Sequence, residues 1–234
     1  MNLEAGRATA YEALCARTLA LGLAVRGAFH PKSGEFEALL PSVPAGTIVL
    51  LGFTGAMQWE IFRCSAEASD AISNPLDRWS RRVIGRLALE FGALDIYPNG
   101  CSPQLPFQQL AARCEPVHRS PIGLLIHAEW GLWHAYRGAL VLAERIELPI
   151  VSRPANPCDA CSEKPCTSAC PVDAFRAGAF NLTACVDHVR SAEGADCRER
   201  GCVARRACPV GRRYRYAEQQ AGFHMEAFLR SAPP

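Results

Sequence analysis

Eight of the twelve cysteines in this chain lie between Cys158 and Cys208, and their spacing constrains the fold more than any other feature. The first half of this segment reads C-x2-C-x4-C-x3-C-P and ends at Pro171. The second half adds Cys185 and then C-x4-C-x5-C-P, which ends at Pro209. A 4Fe–4S cube needs four thiolates that approach it from all sides. Closely spaced cysteines can wrap one side of it, and a distant cysteine before a proline can close it. The spacing therefore predicts two 4Fe–4S clusters.

The two Cys-Pro pairs suggest how the ligands divide. In bacterial ferredoxins with two clusters, the cysteine that precedes the proline ligates the other cluster. We therefore expect each half of the segment to lend its last cysteine to the other half. The first predicted set is Cys158, Cys161, Cys166 and Cys208, and the second is Cys170, Cys185, Cys197 and Cys202.

Structural zinc sites and disulfides are two other uses of clustered cysteines. Structural zinc also takes four thiolates, but usually from paired C-x2-C knuckles, and two Cys-Pro closures fit that pattern poorly. Disulfides require an oxidising compartment, and charged residues interrupt the apolar residues near the N-terminus, so we expect no secretory signal. The sequence predicts a cytoplasmic protein with reduced thiols.

Composition bounds the remaining function classes. The 234 residues carry a formal net charge of +2 and are about half hydrophobic, as in ordinary globular domains. We expect no membrane span, because no apolar run reaches about 18–20 residues. Seven arginines lie between 198 and 215. They could stabilise negatively charged clusters, dock an acidic electron donor or contact phosphates, and we rank these roles in that order.

The front portion has the patterns of a mixed α and β domain. An apolar run over 47–53 predicts a strand that is buried on both faces. Asn74-Pro75 followed by apolar residues every three or four positions predicts a helix with Asn74 as its N-cap, which ends at Gly92. The other predicted elements are a helix over 3–25 that stops at Gly27, a helix over 107–114, and strands over 94–97, 122–142 (two or three) and 146–151.

Two segments of this portion are candidates for a ligand site. The first is the turn-rich loop from Tyr97 to Pro103, which follows a predicted strand. The second runs from His127 to Arg137 and holds two tryptophans, a tyrosine, two histidines and an arginine. A planar ligand would explain this concentration of aromatic residues, and packing against the sheet is the alternative.

These residues resemble two known families. The segment from Cys158 to Pro209 resembles the two-cluster ferredoxin module of epoxyqueuosine reductases and corrinoid-dependent reductive dehalogenases. The run from His127 to Leu142, with Ile146-Glu147-Leu148-Pro149 after it, is similar to the cobalamin-processing CblC family, whose fold is a modified flavin nitroreductase. The resemblance implies an α+β protein with a nitroreductase-like sheet-and-helix domain at 1–152 and a ferredoxin-like domain at 153–234.

The resemblance also implies an activity. Electrons from a redox donor protein, such as a flavodoxin, a ferredoxin or a reductase, would pass through the clusters to a corrinoid or flavin in the front domain. In the CblC family the matching arginine helps to bind a thiol cosubstrate. The implied cofactor-binding residues are Tyr97, Asn99, Gly100, Trp130, Trp133 and Arg137.

Three further expectations accompany this activity. An electron-transfer protein without chemistry of its own is the alternative function. Relatives of the front domain often pair through their sheets, so a homodimer is the candidate assembly. The helical-repeat extension of epoxyqueuosine reductases is not found after the clusters, and we therefore expect no tRNA or other nucleic-acid substrate.

Overall fold

The structure is a computed structural model that describes residues 9–36, 45–98, 106–176 and 178–233. It divides into two compact units. The first comprises Met1–Phe53, Met57–Glu115 and Ala135–Ser152, and the second comprises Thr54–Ala56, Pro116–His134 and Arg153–Pro234. The division into domains at 1–152 and 153–234 stays a prediction. The segment 116–134 belongs to the same unit as the cysteine-rich region.

The fold is α+β, as the sequence predicts. The strands are β1 (Ala24–Phe29), β2 (Thr47–Thr54), β3 (Leu94–Ile96), β4 (Val117–Arg119), β5 (Leu125–His127), β6 (His134–Leu142), β7 (Phe175–Arg176) and β8 (Ala179–Phe180). The helices are α1 (Ala10–Ala20), α2 (Trp59–Arg63), α3 (Ala66–Ser69), α4 (Pro75–Phe91), α5 (Phe107–Cys114), α6 (Leu182–Arg190), α7 (Ala195–Arg200), α8 (Val203–Ala207) and α9 (Glu218–Ser231).

A sheet with the strand order β1-β2-β6-β3 forms the centre of the first unit within the described residues. All residues of β2 are buried, which explains its apolar run without alternation. Helix α4 buries Trp79, Val83 and Leu87 on its apolar stripe. Its end at Gly92 is as predicted, because this glycine has φ 59° and its N–H donates to the Ala88 carbonyl. The helix therefore begins at Pro75 and ends before Gly92, as the sequence indicates.

Asn74 is the N-cap residue of α4, as predicted, but its backbone is left-handed, with φ 53°, and its side chain makes no cap hydrogen bond within the described residues. Two other local predictions in the first unit are wrong. Gly27 does not end a helix but lies in β1 beside a register shift, where a Cβ would lie 2.6 Å from the Cys114 carbonyl oxygen. Residues 146–151 form no strand, and Ile150 is fully exposed. The Ile146 N–H donates to the Thr47 hydroxyl at the start of β2, but no strand of the described residues forms a ladder with this segment.

A buried ion pair joins β1 to the end of α5 in the first unit. Arg26 donates to the Glu115 carboxylate at 2.8 Å and to the Phe53 carbonyl at 3.0 Å, and the Tyr136 hydroxyl donates to the same carboxylate. The side chains of Arg26 and Glu115 are 0% and 3% exposed. Burial raises the pKa of Glu115, and the Arg26 charge opposes that rise. The Arg26 charge therefore favours the ionised form of this buried carboxylate.

We expect Arg26→Leu to lower the free energy of unfolding by about 3–5 kcal/mol, because it leaves a buried carboxylate without its counter-charge. The loss should be larger at pH 8 than at pH 5. Without Arg26 the folded-state pKa of Glu115 rises further above its unfolded value, and stability then falls as pH rises through that range. Urea unfolding followed by tryptophan fluorescence measures both effects.

The control is Arg63→Leu, which removes an exposed pair with Glu60 (47% and 60% exposed). It should cost less than about 1 kcal/mol at either pH. Equal losses in the two variants would contradict the role given to the buried pair.

The second unit contains the hairpin of β4 and β5, the hairpin of β7 and β8, and helices α6 to α9. Helix α7 packs on α9. Gly201, which follows α7, lies against Ala221 of α9, and a Cβ added at Gly201 would lie 3.1 Å from the Ala221 Cβ. Along the described residues, no helix combines the length and apolar character that a membrane crossing requires. This unit carries all eight cysteines of the predicted cluster sites.

Candidate metal centres

Four of the cysteines line one cavity of the second unit. They are Cys158, Cys161, Cys166 and Cys208, the first predicted ligand set. The cavity wall also includes Ile126, Leu132 and Val210. The structure thus brings Cys208 to three cysteines that lie at least 42 residues earlier in the chain.

The electrostatic interactions of the thiols agree with this grouping. Burial raises the pKa of Cys158, and the neighbouring thiols of Cys208, Cys166 and Cys161 raise it further. Burial likewise raises the pKa of Cys166, with contributions from Cys208 and Cys161. Thiols interact in this way only when they lie close together, so the first set occupies one neighbourhood.

The second predicted set occupies another neighbourhood. Burial raises the pKa of Cys185 to about 11, with further contributions from Cys202, Cys170 and Cys197. Burial also raises the pKa of Cys202, where Cys197 and Cys170 act in the same direction. Cys185 is positioned by α6, and Cys197 by α7. The four thiols therefore come from four different segments of the chain.

Backbone amides point at several of these sulfurs. The Ala174 N–H donates to the Cys170 sulfur at 3.3 Å. The N–H groups of Arg205 and Ala204 lower the pKa of Cys202 against the larger effect of burial, and the Val210 N–H does the same for Cys208. Amide donors stabilise a thiolate, which is the form that binds iron. The donors therefore suit ligand cysteines.

An apolar shell surrounds the first cavity. Ile122, Ile126 and Leu132 pack in one buried cluster with Ala204 and the cluster cysteines Cys166 and Cys208. The three aliphatic residues come from the segment before β6, about 30 residues ahead of the first cysteine. Sequence reasoning missed them, because no spacing rule relates that segment to the cysteines. Such a shell limits the access of water to a bound cluster.

The same segment meets the end of the cysteine region backbone to backbone. Gly131 has φ +57°, and a Cβ there would lie 2.2 Å from the Val210 carbonyl oxygen. Gly211 has φ +68°, and a Cβ there would lie 2.4 Å from the Trp130 carbonyl carbon. Both positions need glycine for its left-handed backbone and for its lack of a side chain. The pair fixes the chain just after Cys208.

The Arg205 side chain forms a further contact between the cysteine region and the segment before β6. Its Nε and Nη2 atoms donate to the Leu132 carbonyl at 3.1 and 2.5 Å. Its guanidinium lies 4.6 Å from the ring centres of both Trp133 and Tyr216. A residue between two ligand cysteines thus binds the segment that covers the first cavity.

The described cysteines are all free thiols, so the structure does not support the disulfide alternative. Within the described residues, no three His, Cys, Asp or Glu side chains converge closely enough to hold a single metal ion. The ligands of one zinc ion share a centre at about 2.3 Å, whereas the thiolates of a 4Fe–4S cube each bind a different iron. Iron, sulfide and zinc content distinguishes these two kinds of site.

The predicted cofactor-binding residues fall into three groups. Tyr97 and Arg137 line one cavity of about 100 Å³ in the first unit, together with Asp77, Ser80 and Arg81. Trp130 and Trp133 lie in the second unit. Asn99 and Gly100 lie outside the described residues.

The cavity of the first unit is polar. The Arg137 guanidinium donates to the Asp77 carboxylate and, at 3.0 Å, to the Ser80 hydroxyl. Arg81 lies 4.5 Å from the centre of the Tyr97 ring. Three other arginines of α4 pair with acids, and Arg81 lines this cavity. The paired residues are Arg78, Arg82 and Arg86.

The tryptophans and histidines of the aromatic segment contact each other and the chain. Trp130 stacks on His127 with ring centres 3.9 Å apart, and the His127 Nδ1 accepts from the Glu129 N–H. Trp133 is 3% exposed and packs on Tyr216 and Arg205. The His134 Nε2 donates to the Leu125 carbonyl at 3.0 Å. Packing accounts for these rings, and a role in binding a planar cofactor stays a prediction.

Comparison with known proteins adds to this picture at the level of the fold. An epoxyqueuosine reductase solved with a modified tRNA stem loop aligns over 89% of this chain and 67% of its own, with 15% identity and a TM-score of 0.50. The chain shares that fold. The epoxyqueuosine reductase of Streptococcus thermophilus aligns over 87% of this chain at 14% identity, with a TM-score of 0.47.

The extent of these alignments limits what they carry over. This chain spans about two thirds of the length of the epoxyqueuosine reductases that it matches. No protein-family model and no curated protein sequence matches the chain. The likeness to epoxyqueuosine reductase thus establishes the α+β architecture, and activity has to be argued from the chain's own residues.

Proposed function

We propose that this protein is an iron–sulfur oxidoreductase that carries two 4Fe–4S clusters. One observation carries the proposal: the eight cysteines gather into two neighbourhoods of four, and the two Cys-Pro cysteines are exchanged between them. Cys208 joins the first set, and Cys170 joins the second. When bound, each cluster supplies a centre that takes up and releases single electrons.

The chain's own residues suit that chemistry. The apolar wall of Ile122, Ile126 and Leu132 would keep water from the first cluster. Amide donors would offset thiolate charge at Cys208 in the first set and at Cys170 and Cys202 in the second. Both effects set the potential at which a cluster accepts an electron. An anaerobic redox titration followed by EPR should show two one-electron steps. A single step, or none, would contradict the proposal.

A corrinoid is the electron acceptor that we propose for the first unit, and a flavin is the alternative. The support is the sequence resemblance of the segment from His127 to Leu142. The cavity at Tyr97 and Arg137 can take only a small part of such a ligand, because about 100 Å³ is well below the roughly 300–1,000 Å³ of pockets that enclose a drug-sized molecule. Arg137 would contact an anionic group there while it stays bonded to Asp77.

Anaerobic titration of the protein with cobalamin and with FMN tests this assignment. A corrinoid acceptor should shift the visible cobalamin spectrum, and the shift should weaken at least tenfold with Arg137→Ala. The control is Arg86→Ala, which removes an arginine of α4 that forms an exposed pair with Glu90. If neither ligand binds, the protein is better described as an electron-transfer protein without chemistry of its own. The small cavity is the observation that favours this second candidate.

A further inference from the structure

The arginines between 198 and 215 do not form one uniform patch. Arg200 and Arg206 both pair with Asp196, and Arg200 also pairs with Glu218 at 2.8 Å. Arg198 donates to backbone carbonyls, and Arg213 pairs with Glu129. Together with Arg205, which binds the Leu132 carbonyl, these residues are committed to contacts within the second unit.

Arg212 and Arg215 differ from the others. Both are exposed, and no carboxylate in the described part of the chain forms an ion pair with either of them. Among the side-chain hydrogen bonds of the described residues, the Arg215 guanidinium donates only to the Arg206 carbonyl. Both guanidinium groups act electrostatically on the Cys208 thiol. Their charge is therefore available at the surface beside the first cysteine set.

Lys164 is a third cation at the same place. Its exposed side chain belongs to the loop between Cys161 and Cys166, and it lines the same cavity as the four thiols. No acid pairs with it in the described ranges. Two exposed acids are near Lys164 in the chain, Glu163 in the same loop and Asp159 between Cys158 and Cys161, so three cations stand against two acids. We call Lys164, Arg212 and Arg215 the cationic rim.

We propose that the cationic rim docks an acidic electron-transfer protein of the flavodoxin class, which delivers electrons to the first cluster. This inference rests on the proposed function, because it requires a cluster between Cys158, Cys161, Cys166 and Cys208. In the transfer, the reduced flavin of the donor loses one electron and the oxidised cluster gains it. No bond forms or breaks.

The placement of charge favours a protein over a nucleic acid. A nucleic-acid site needs cations that follow a phosphate backbone. Here Arg200 and Arg206, two arginines that precede Arg212 in the chain, are paired with the two carboxylates of Asp196 and Glu218. Cations beside the first cysteine set, unpaired within the described residues, instead match the electrostatic steering that raises association rates by about 10–1,000-fold. The charge is concentrated where an electron would enter.

The test is stopped-flow reduction of the anaerobic holoprotein by a reduced flavodoxin at low ionic strength. The double variant Arg212→Glu/Arg215→Glu should lower the second-order rate at least tenfold and flatten its dependence on salt. The control Arg176→Glu/Arg230→Glu makes the same charge change at exposed arginines of the same unit that pair with Asp173 and Glu226. It should change the rate less than twofold.

Two further readings separate the possible failures. An uncharged photogenerated deazaflavin radical should reduce the wild-type protein, the rim variant and the control variant at the same rate. If it reduces the rim variant as slowly as flavodoxin does, the charges act on the cluster and not on docking. Equal flavodoxin rates in the rim and control variants would overturn the docking site. RNA binding that only the rim variant loses, with an unchanged flavodoxin rate, would assign the rim to nucleic acid. Absence of iron from the wild-type protein would instead refute the proposed function.

Discussion

Cys208→Ser should remove one cluster and leave the other, so that the purified protein loses about half of its iron and one of two EPR signals. The reason is the grouping of Cys208 with Cys158, Cys161 and Cys166 around one cavity. A serine hydroxyl at this position replaces the thiolate that closes the cube. Cys158→Ser should remove the same signal, although the two residues are 50 positions apart in the chain.

The double variant makes this expectation sharper. Cys158→Ser/Cys208→Ser should lose no more iron than either single variant, because both changes act on one site. Cys185→Ser should remove the other signal, since this cysteine interacts with Cys170, Cys197 and Cys202. Cys64→Ser, an exposed thiol of the first unit, is the control and should retain both signals. Loss of the same signal in Cys208→Ser and Cys185→Ser would contradict the grouping.

Gly131→Ala should make the first cluster site more accessible to a chelator without changing any of its predicted ligands. An added Cβ would lie 2.2 Å from the Val210 carbonyl oxygen, two residues after Cys208, and backbone on both sides cannot move aside as a flexible side chain can. Left-handed backbone alone costs a non-glycine residue about 1–2 kcal/mol. We expect the collision to raise the total above about 3 kcal/mol and to speed iron release to a chelator at least tenfold.

Gly123→Ala separates strain from collision. Gly123 has φ +80°, and an added Cβ meets no atom within 4 Å, so only the cost of left-handed backbone applies. It should release iron at nearly the wild-type rate. Gly211→Ala should behave like Gly131→Ala, because its Cβ would approach the Trp130 carbonyl carbon at 2.4 Å. Similar release rates for the Gly131 and Gly123 variants would show that the backbone contact does not hold the site closed.

The sequence was most informative where local chemistry decides the structure. Gly92 ends α4 because only glycine readily adopts its φ of 59°, and the apolar run over 47–53 is a buried strand because β2 is covered on both faces. The two prolines also predicted that Cys170 and Cys208 are exchanged between halves. Cys208 lines one cavity with Cys158, Cys161 and Cys166, and Cys170 interacts with Cys185, while their assignment as cluster ligands stays a prediction.

The sequence was least informative where distant segments meet. Nothing in the spacing of Gly131 or Leu132 indicates that they border a site formed more than 25 residues later. The run of arginines gave no sign that Arg205 would turn inward and that Arg212 would stay at the surface. At 146–151, apolar β-branched residues predicted a strand, but β propensity acts only where a neighbouring strand is present to pair with.

The most direct test of the account is the content of iron, acid-labile sulfide and zinc per chain in protein purified without oxygen. Two 4Fe–4S clusters predict about eight iron and eight sulfide atoms per chain, with negligible zinc. One or two zinc atoms per chain without sulfide, or thiols that bind no metal, would contradict the claim that these eight cysteines hold two iron–sulfur clusters.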